Sequence, residues 1–353
     1  MELYTLDANL NRNAIISNYK SYIWTERFRD IGEFEIVFPD DDLAGGQASL
    51  SEGTLVINSE TDEPMEVETI ERSIDEEGTA IITVSGRSLV NWLELRVSTR
   101  YADSGRRTSS FAASVIDRAA VSITGVDDIP DLSITNLATD TATFDFEAVD
   151  GTLYDDVKNL LDDIDAGLKV VMSKTSPKFR MYIYTGVNRP IVFSRRNGTL
   201  VSSSFLRSKK KHRNVCFVWY KWTTTDSAGK PVETVDYRRV YGNGGSASRS
   251  GIAMRACSID ATGINRADYP GTRFNNLLDR MGKAELAKWK YTKAVDGEIP
   301  DEQVYPYRKS YFLGDAVSFE DAYHVKSSVR VVEYIWSLDE NGFKSYPTFD
   351  PIE

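Results

Sequence analysis

Residues 23–39 read IWTERFRDIGEFEIVFP, and this stretch decides the fold because it predicts one complete β-hairpin. Along both arms apolar and polar side chains alternate with a period of two, which is typical of half-buried strands and not of helices. Gly32 in the connection can supply a positive φ, and Pro39 ends the ladder because proline donates no backbone hydrogen bond. The residues predicted to pack in the core are Trp24, Phe34, Ile36 and Phe38.

The size and composition of the chain bound its class. Its 353 residues, 41% of them hydrophobic and 11% aromatic, predict a globular protein of two or three domains. We find no apolar run long enough to span a membrane and no export signal, so we expect a soluble protein. Cys216 and Cys257 are expected to be free, small, buried residues and not a disulfide.

The formal net charge of -11 argues against a general nucleic-acid binder, because affinity for phosphates comes mainly from clustered Lys and Arg. It does not exclude contact with DNA that slides past without adhering, since repulsion between like charges favours passage over binding.

The pattern of elements predicts a mainly β fold with α+β insertions. We expect an N-terminal β domain over residues 1–99, an α+β domain over 100–190, and a C-terminal β domain over 191–353 with an inserted helix at about 272–293. Among the boundary signals, Ser88 is predicted to cap a short helix and Gly167 to stop the helix that begins near Thr152.

A search for catalytic chemistry finds none of the usual patterns. The only two histidines, His212 and His324, lack a neighbouring nucleophile motif, and no GxSxG, HExxH, CxxC or phosphate-loop sequence occurs. Four acidic clusters lack the full ligand spacing of an EF-hand, so solvated loops and helix faces are the favoured interpretation. They are Asp40–Asp42, Asp127–Asp128, Asp155–Asp156 and Asp162–Asp163. We therefore expect that the chain is not an enzyme and that it has no cofactor and no metal site.

Two segments are instead candidate partner interfaces. A basic run between two predicted strands is favoured as a solvated turn, and within an oligomer it can pair with an acidic surface of the next subunit. A glycine- and serine-rich segment over 242–251 is predicted to be a mobile loop that, like the loop over 40–51, becomes ordered on assembly. The candidate residues are Arg207, Lys209, Lys210, Lys211, Arg213, Gly242, Asn243, Gly244 and Gly245.

Several stretches resemble one protein family. The hairpin segments Trp24–Phe28 and Gly32–Ile36 are similar to the start of the siphophage minor tail proteins that form the tail-tip or baseplate hub. Further similarity lies in Glu68–Glu71, Val84–Leu89, Leu313–Val317, Asp339–Gly342 and Pro347–Phe349. Both ends of the chain match in order, whereas residues from about 100 to 300 are not matched motif by motif.

This resemblance implies a homotrimeric ring at the virion tail tip, made in the host bacterial cytoplasm. Each subunit would contribute two β-barrel, tube-like domains with a small α+β domain between them. The implied partners are the chain itself, the distal tail ring and tail-tube proteins, and other tail-tip or receptor-binding proteins. Phage DNA would pass through the channel without specific binding, and the host surface would be contacted indirectly. A trimer would carry about -33 formal charges, and an acidic channel would repel DNA.

Three alternatives stay open at this point. The chain could be the distal tail ring, where six-fold symmetry would replace three-fold. It could be a module that binds a host receptor or carbohydrate, with an aromatic platform built from Trp219, Tyr220 and Trp222 or from Trp289 and Tyr291. The strand and helix contexts of these residues favour packing instead. A tail-associated cell-wall hydrolase is the least favoured alternative.

Overall fold

The structure, a computed structural model, places strands and helices from the N-terminal to the C-terminal part of the residues that it describes. It describes residues 1–39, 50–74, 78, 80–97, 102–122, 128–147, 152–242, 250–289, 292–300, 304–321 and 324–352. The helices are α1 (Thr108–Ile116), α2 (Leu153–Asp163) and α3 (Arg273–Ala287), with a 3₁₀ turn at Leu89–Leu93. The strands are β1 (Leu3–Leu6), β2 (Arg12–Ile16), β3 (Ser21–Arg27), β4 (Glu33–Pro39), β5 (Leu55–Asn58), β6 (Met65–Ile74), β7 (Ala80–Ser88), β8 (Ala102–Arg107), β9 (Leu132–Asn136), β10 (Thr143–Glu147), β11 (Gly167–Met172), β12 (Phe179–Tyr184), β13 (Asn188–Phe193), β14 (Ser202–Ser208), β15 (Val215–Thr225), β16 (Pro231–Tyr241), β17 (Ala256–Asp260), β18 (Thr292–Glu298), β19 (Ala316–Glu320), β20 (Lys326–Asp339) and β21 (Gly342–Pro351).

The opening hairpin forms as the sequence predicts. Strands β3 and β4 pair antiparallel with Trp24 opposite Phe34, and the two rings stack with centroids 5.6 Å apart. All four residues predicted for the core are buried. The reason for Gly32 differs from the expectation: its φ is not positive, but a Cβ there would lie 2.7 Å from the carbonyl oxygen of Thr25. The connection therefore needs glycine for close approach and not for backbone freedom.

The two ends of the chain meet in one 13-stranded sheet. Its main path is β14-β18-β21-β20-β3-β4-β7-β6-β5-β1-β2, so the first hairpin pairs edge to edge with the last, and Trp24 faces Trp336 across β3 and β20. A branch of β19 and β13 joins the start of β20. The mainly β prediction is confirmed. Among the described strands the path runs open from β14 to β2, and the division into two tube-like barrels stays a prediction.

The largest hydrophobic cluster among the described residues of this sheet draws on both ends of the chain. It contains Trp24 and Phe34 from the first hairpin together with Tyr334, Trp336 and Phe349 from the last. Burial of large aromatic side chains is the main source of stability in such a core. Neither hairpin therefore completes its core without the other.

Helices and a small sheet come together in the middle of the chain, which we call the α+β unit. Helices α1 and α2 pack with the sheet β11-β12-β9 around a second core, which also takes in Ile31 from the hairpin connection. Thr152 caps α2, because its hydroxyl oxygen accepts a hydrogen bond from the Asp155 N–H at 3.1 Å. The left-handed residue after this helix is Asp165 and not Gly167, which begins β11. The predicted boundaries near residues 100 and 190 stay predictions.

Residues 209–291 are inserted between two paired strands of the large sheet, since Ser208 of β14 lies opposite Thr292 of β18. The insertion folds as the three-stranded sheet β16-β15-β17 with α3 against one face and has its own hydrophobic core. We call it the inserted lobe. Helix α3 ends at Ala287, earlier than the predicted 293, because β18 already begins at Thr292.

Ser88 does not cap the short helix that follows it. Its hydroxyl makes no cap hydrogen bond and instead accepts one from the Gly32 N–H at 3.0 Å. The Ser88 N–H in turn donates to the Gly32 carbonyl oxygen at 2.9 Å. Ser88 therefore fastens the hairpin connection to β7.

Candidate assembly surfaces

The basic run lies on a turn that two arginines hold in shape. Arg255 donates from Nε to the carbonyl oxygen of His212 at 3.0 Å and from Nη2 to that of Lys210 at 3.4 Å. Arg213 donates from Nη1 to the carbonyl oxygens of Lys211 and His212 at 3.1 and 3.0 Å, and its guanidinium lies over the Trp289 ring. The side chains of residues 209–211 are exposed. We call residues 209–213 the basic turn.

The structure brings the start of the glycine-rich segment beside this turn. The Gly242 N–H donates to the carbonyl oxygen of Asn214 at 3.0 Å, directly after the basic turn. The predicted interface residues Asn243, Gly244 and Gly245 lie outside the described residues, as does the side chain of Arg207. Gly242 and the basic turn are thus neighbours in the inserted lobe, although they are about 30 residues apart in sequence.

The aromatic residues proposed as a binding platform do not share one face. Trp219 is 39% exposed on the sheet face that points away from α3, whereas Tyr220 packs on Phe274 of α3 with ring centroids 5.5 Å apart. Trp289 lies under the Arg213 guanidinium, and Tyr291 lies outside the described residues. The predicted platform is therefore divided between a packed face and an open one.

The open face gains two residues that sequence reasoning missed. Tyr237 on β16 lies opposite Trp219 and is 41% exposed, and Arg239 lies opposite Phe217. The Arg239 guanidinium is 5.2 Å from the centroid of Phe217 and 5.8 Å from that of Tyr237. The period-two pattern of β16, read together with its pairing to β15, would have found them.

The large sheet ends in two strands whose outer edges are unpaired among the described residues. Strand β2 pairs only with β1, and β14 pairs only with β18. Each carries an exposed aliphatic residue: Ile15 on β2 is 50% exposed and Leu206 on β14 is 52% exposed. Unpaired strand edges present backbone N–H and C=O groups to a further strand, so both ends are candidate subunit contacts.

A buried ionic cluster ties the two ends of the chain to the loop before β6. Arg308 donates to the carboxylate of Glu26 at 3.0 Å and to Glu63 at 2.6 Å, and the exposed Asp62 lies 3.1 Å away. Glu26 is only 2% exposed and also accepts a hydrogen bond from the Tyr307 hydroxyl at 2.9 Å. One guanidinium thus serves the buried carboxylate of Glu26 and the partly buried carboxylate of Glu63.

The attraction of the shared Arg308 does not fully offset the cost of burying the ionised carboxylate of Glu63. Burial raises the pKa of Glu63 to about 7, and the charge of Glu26 adds to the rise, while Arg308 and Lys169 oppose it. Desolvation disfavours the ionised form of a carboxyl group more than one shared cation favours it here.

The ionisation of Glu63 should make stability depend on pH. Between about pH 4.5 and 7 the unfolded chain releases this proton while the folded chain keeps it, so stability falls as pH rises through that window. Glu63→Gln should remove this part of the pH dependence. The free energy of unfolding of the variant, relative to that of the wild type, should therefore rise by up to about 3 kcal/mol between the lower and the upper end of this pH window. Urea titrations at several pH values measure this, with the exposed Glu35→Gln as control. A constant difference between variant and wild type would contradict the assignment.

The described residues bring together no obvious catalytic group. Nδ1 of the exposed His324 lies 3.0 Å from the carboxylate of the buried Glu320. Cys216 and Cys257 are free, as predicted, and lie opposite each other on β15 and β17, where burial raises the pKa of the Cys216 thiol to about 12. In the described ranges no group of three His, Cys, Asp or Glu side chains is placed to hold a metal ion. Within the same ranges, no helix has the length and apolar character to cross a membrane.

Comparison with known proteins confirms the resemblance to siphophage tail proteins. A family profile described as "Siphovirus ReqiPepy6 Gp37-like protein" matches residues 125–349. The match includes the C-terminal motifs and the middle region that no motif covered, and it begins after the opening hairpin. No curated protein matches the sequence.

Solved structures of three tail proteins share the fold over nearly the full chain. A tail protein from Neisseria meningitidis MC58 aligns with a TM-score of 0.56 and 11% identity over 100% of this chain and 96% of its own. The 43 kDa tail protein of prophage MuSo2 from Shewanella oneidensis aligns with a TM-score of 0.56 and 14% identity over 99% of this chain and 98% of its own. Prophage tail protein gp18 from Listeria monocytogenes EGD-e aligns with a TM-score of 0.50 and 10% identity over 99% of this chain and 94% of its own. At these identities the likeness concerns the fold.

Proposed function

This chain belongs to the family of Siphovirus ReqiPepy6 Gp37-like proteins and has the fold of phage tail proteins, and from this premise we propose that it forms the hub ring at the tail tip. The ring is a homotrimer that continues or closes the tail tube and anchors other tail-tip proteins. Its role is structural.

One observation supports the proposed ring: among the described strands the large sheet is open, and its two edge strands, β2 and β14, are different from each other. The outer edge of β2 on one subunit can pair with the outer edge of β14 on the next, because both edges are unpaired among the described strands. A contact between two different surfaces is head-to-tail, and it forms a closed ring when the rotation between subunits closes. Three copies close such a ring with a rotation of 120°.

The remaining assignments follow from the place of such a ring in a virion. The hub contacts the distal tail ring and tail-tube proteins on one side and other tail-tip or receptor-binding proteins on the other. Phage DNA passes through it, and the acidic net charge of the chain opposes adhesion of the DNA backbone. The two tube-like domains per subunit belong to this proposal.

Lysine at either edge should prevent ring closure, because an added charge on an edge strand blocks pairing. Ile15→Lys and Leu206→Lys each remove one half of the contact, so each variant alone should form no trimer. Mixed together, they retain one good contact and should form a dimer. Light scattering on purified protein checks this against a trimer of three 39.6 kDa chains.

Leu137→Lys is the matched control, since Leu137 is similarly exposed but lies on neither edge. If both edge variants remain trimeric, the β2–β14 contact is wrong. Electron cryomicroscopy of the tail tip tests the role itself: three-fold density for this chain supports the hub, and six-fold density would identify the distal tail ring instead.

A further inference from the structure

The charge of the chain is divided sharply between the inserted lobe and the rest. Residues 209–291 contain 16 Lys and Arg against 7 Asp and Glu, a formal net charge of +9. The other 270 residues therefore carry -20, which together give the total of -11. We call these other residues the acidic remainder. Opposite net charges of this size within one chain make each copy complementary to the next.

The lobe is also set apart in the fold. It enters and leaves the large sheet at one pair of opposed residues, Ser208 and Thr292. An ion pair of Arg280 on α3 with Asp156 on α2, both nearly buried, links it to the α+β unit. This pair binds the α3 side of the lobe to its own subunit and leaves the opposite sheet face open.

The open face carries the chemistry of a protein interface. Trp219 and Tyr237 meet edge to face with centroids 5.3 Å apart, and Val235 beside them is 54% exposed. Arg239 lies over the same aromatic group. Exposed Trp, Tyr and Arg are the residues that contribute most binding energy at protein interfaces.

Several cations of the lobe have no acidic partner among the residues that the structure describes. Arg238 is bound by Asp279, whereas within the described residues no carboxylate lies at ion-pair distance from Lys210, Lys211 or Arg239. The three are exposed, and they extend from the basic turn along the open face. A partner with an acidic surface can pair with them.

We propose that the open face of the lobe and the basic turn dock on the acidic remainder of a second copy of this chain. This contact rests on the proposed ring and adds a second, electrostatic junction between neighbouring subunits. A second copy fits better than a nucleic acid, because the acidic remainder of the same subunit repels a phosphate backbone while every copy in the ring offers a complementary protein surface.

The test reverses the charge of the three cations in the full chain. Lys210→Glu, Lys211→Glu and Arg239→Glu together should raise the dissociation constant of self-association, measured by sedimentation velocity, by at least about tenfold. Trp219→Ala should weaken it by a similar factor without changing charge. Raising the salt concentration from about 0.05 to 0.5 M should weaken association of the wild type more than that of the triple variant.

The matched control applies the same charge change to exposed lysines of the acidic remainder: Lys20→Glu, Lys174→Glu and Lys326→Glu. Unchanged association of the lobe variants would overturn the proposal. If they remain trimeric while Ile15→Lys does not, the hub ring stands and the lobe contact is wrong. A wild-type chain that stays monomeric would contradict both the hub ring and the lobe contact. Binding of a fluorescent DNA duplex that is lost only in the lobe variants, with association intact, would assign the lobe to nucleic acid and overturn the contact.

Discussion

Arg308→Met should lower the free energy of unfolding by about 3 to 5 kcal/mol, because it leaves the buried Glu26 and the partly buried Glu63 without their shared cation. The guanidinium contacts Glu26 at 3.0 Å and Glu63 at 2.6 Å, and Glu26 is almost fully buried. Methionine keeps most of the aliphatic volume, so the loss reports on charge and hydrogen bonding and not on a cavity. Urea denaturation at pH 7.5 measures it.

Arg238→Met is the matched control, since Arg238 makes two hydrogen bonds to Asp279 in a half-exposed pair within the inserted lobe. Exposed pairs contribute little, so this variant should lose no more than about 1 kcal/mol. Adding Glu63→Gln to Arg308→Met should restore part of the stability, because glutamine neither carries an unpaired charge at this position nor has to take up a proton on folding. Equal losses for the two arginine variants would show that the cluster around Glu26 is no more than a surface network.

The cluster also shows which part of the fold is accessible from sequence. The opening hairpin was predicted because its signals are local: alternating side chains, a turn and a terminating proline within residues 23–39. The pairing of β3 with β20 and the hydrogen bond of Arg308 to Glu26 join residues about 280 or more positions apart in sequence. Neither segment contains a sequence signal that identifies its partner. The long-range pairing that unites both ends in one core was therefore not predictable.

The candidate assembly surfaces likewise include features that the sequence shows directly and features that depend on how the strands pair. The basic turn was identified from charge alone, because a run of cations in an acidic chain is visible in the sequence. Tyr237 and Arg239 were missed, since their place beside Trp219 and Phe217 depends on the register of β15 and β16. The +9 charge of the inserted lobe could be counted only after the pairing of β14 with β18 had defined where the lobe begins and ends.

Gly314 lies in the motif Leu313–Val317 that supported the family resemblance, and the structure gives a physical reason for it. Its φ is +89°, and a Cβ at this position would lie 2.4 Å from a ring carbon of Phe28, which is fully buried. Its carbonyl oxygen would in turn lie 1.9 Å from a Cβ at Gly186. Two backbone segments and one ring thus meet here at distances that only glycine allows.

Gly314→Ala should therefore combine backbone strain with overpacking and cost about 3 kcal/mol or more. Gly53→Ala separates the two effects, because Gly53 has a similar φ of +83° with no atom within 4 Å of its Cβ position. This control contains the strain alone and should cost about 1 kcal/mol. Thermal and urea unfolding of both variants measure the difference. If the two alanine variants lose the same stability, Phe28 yields to the added methyl group and the close packing at Gly314 is not what requires glycine there.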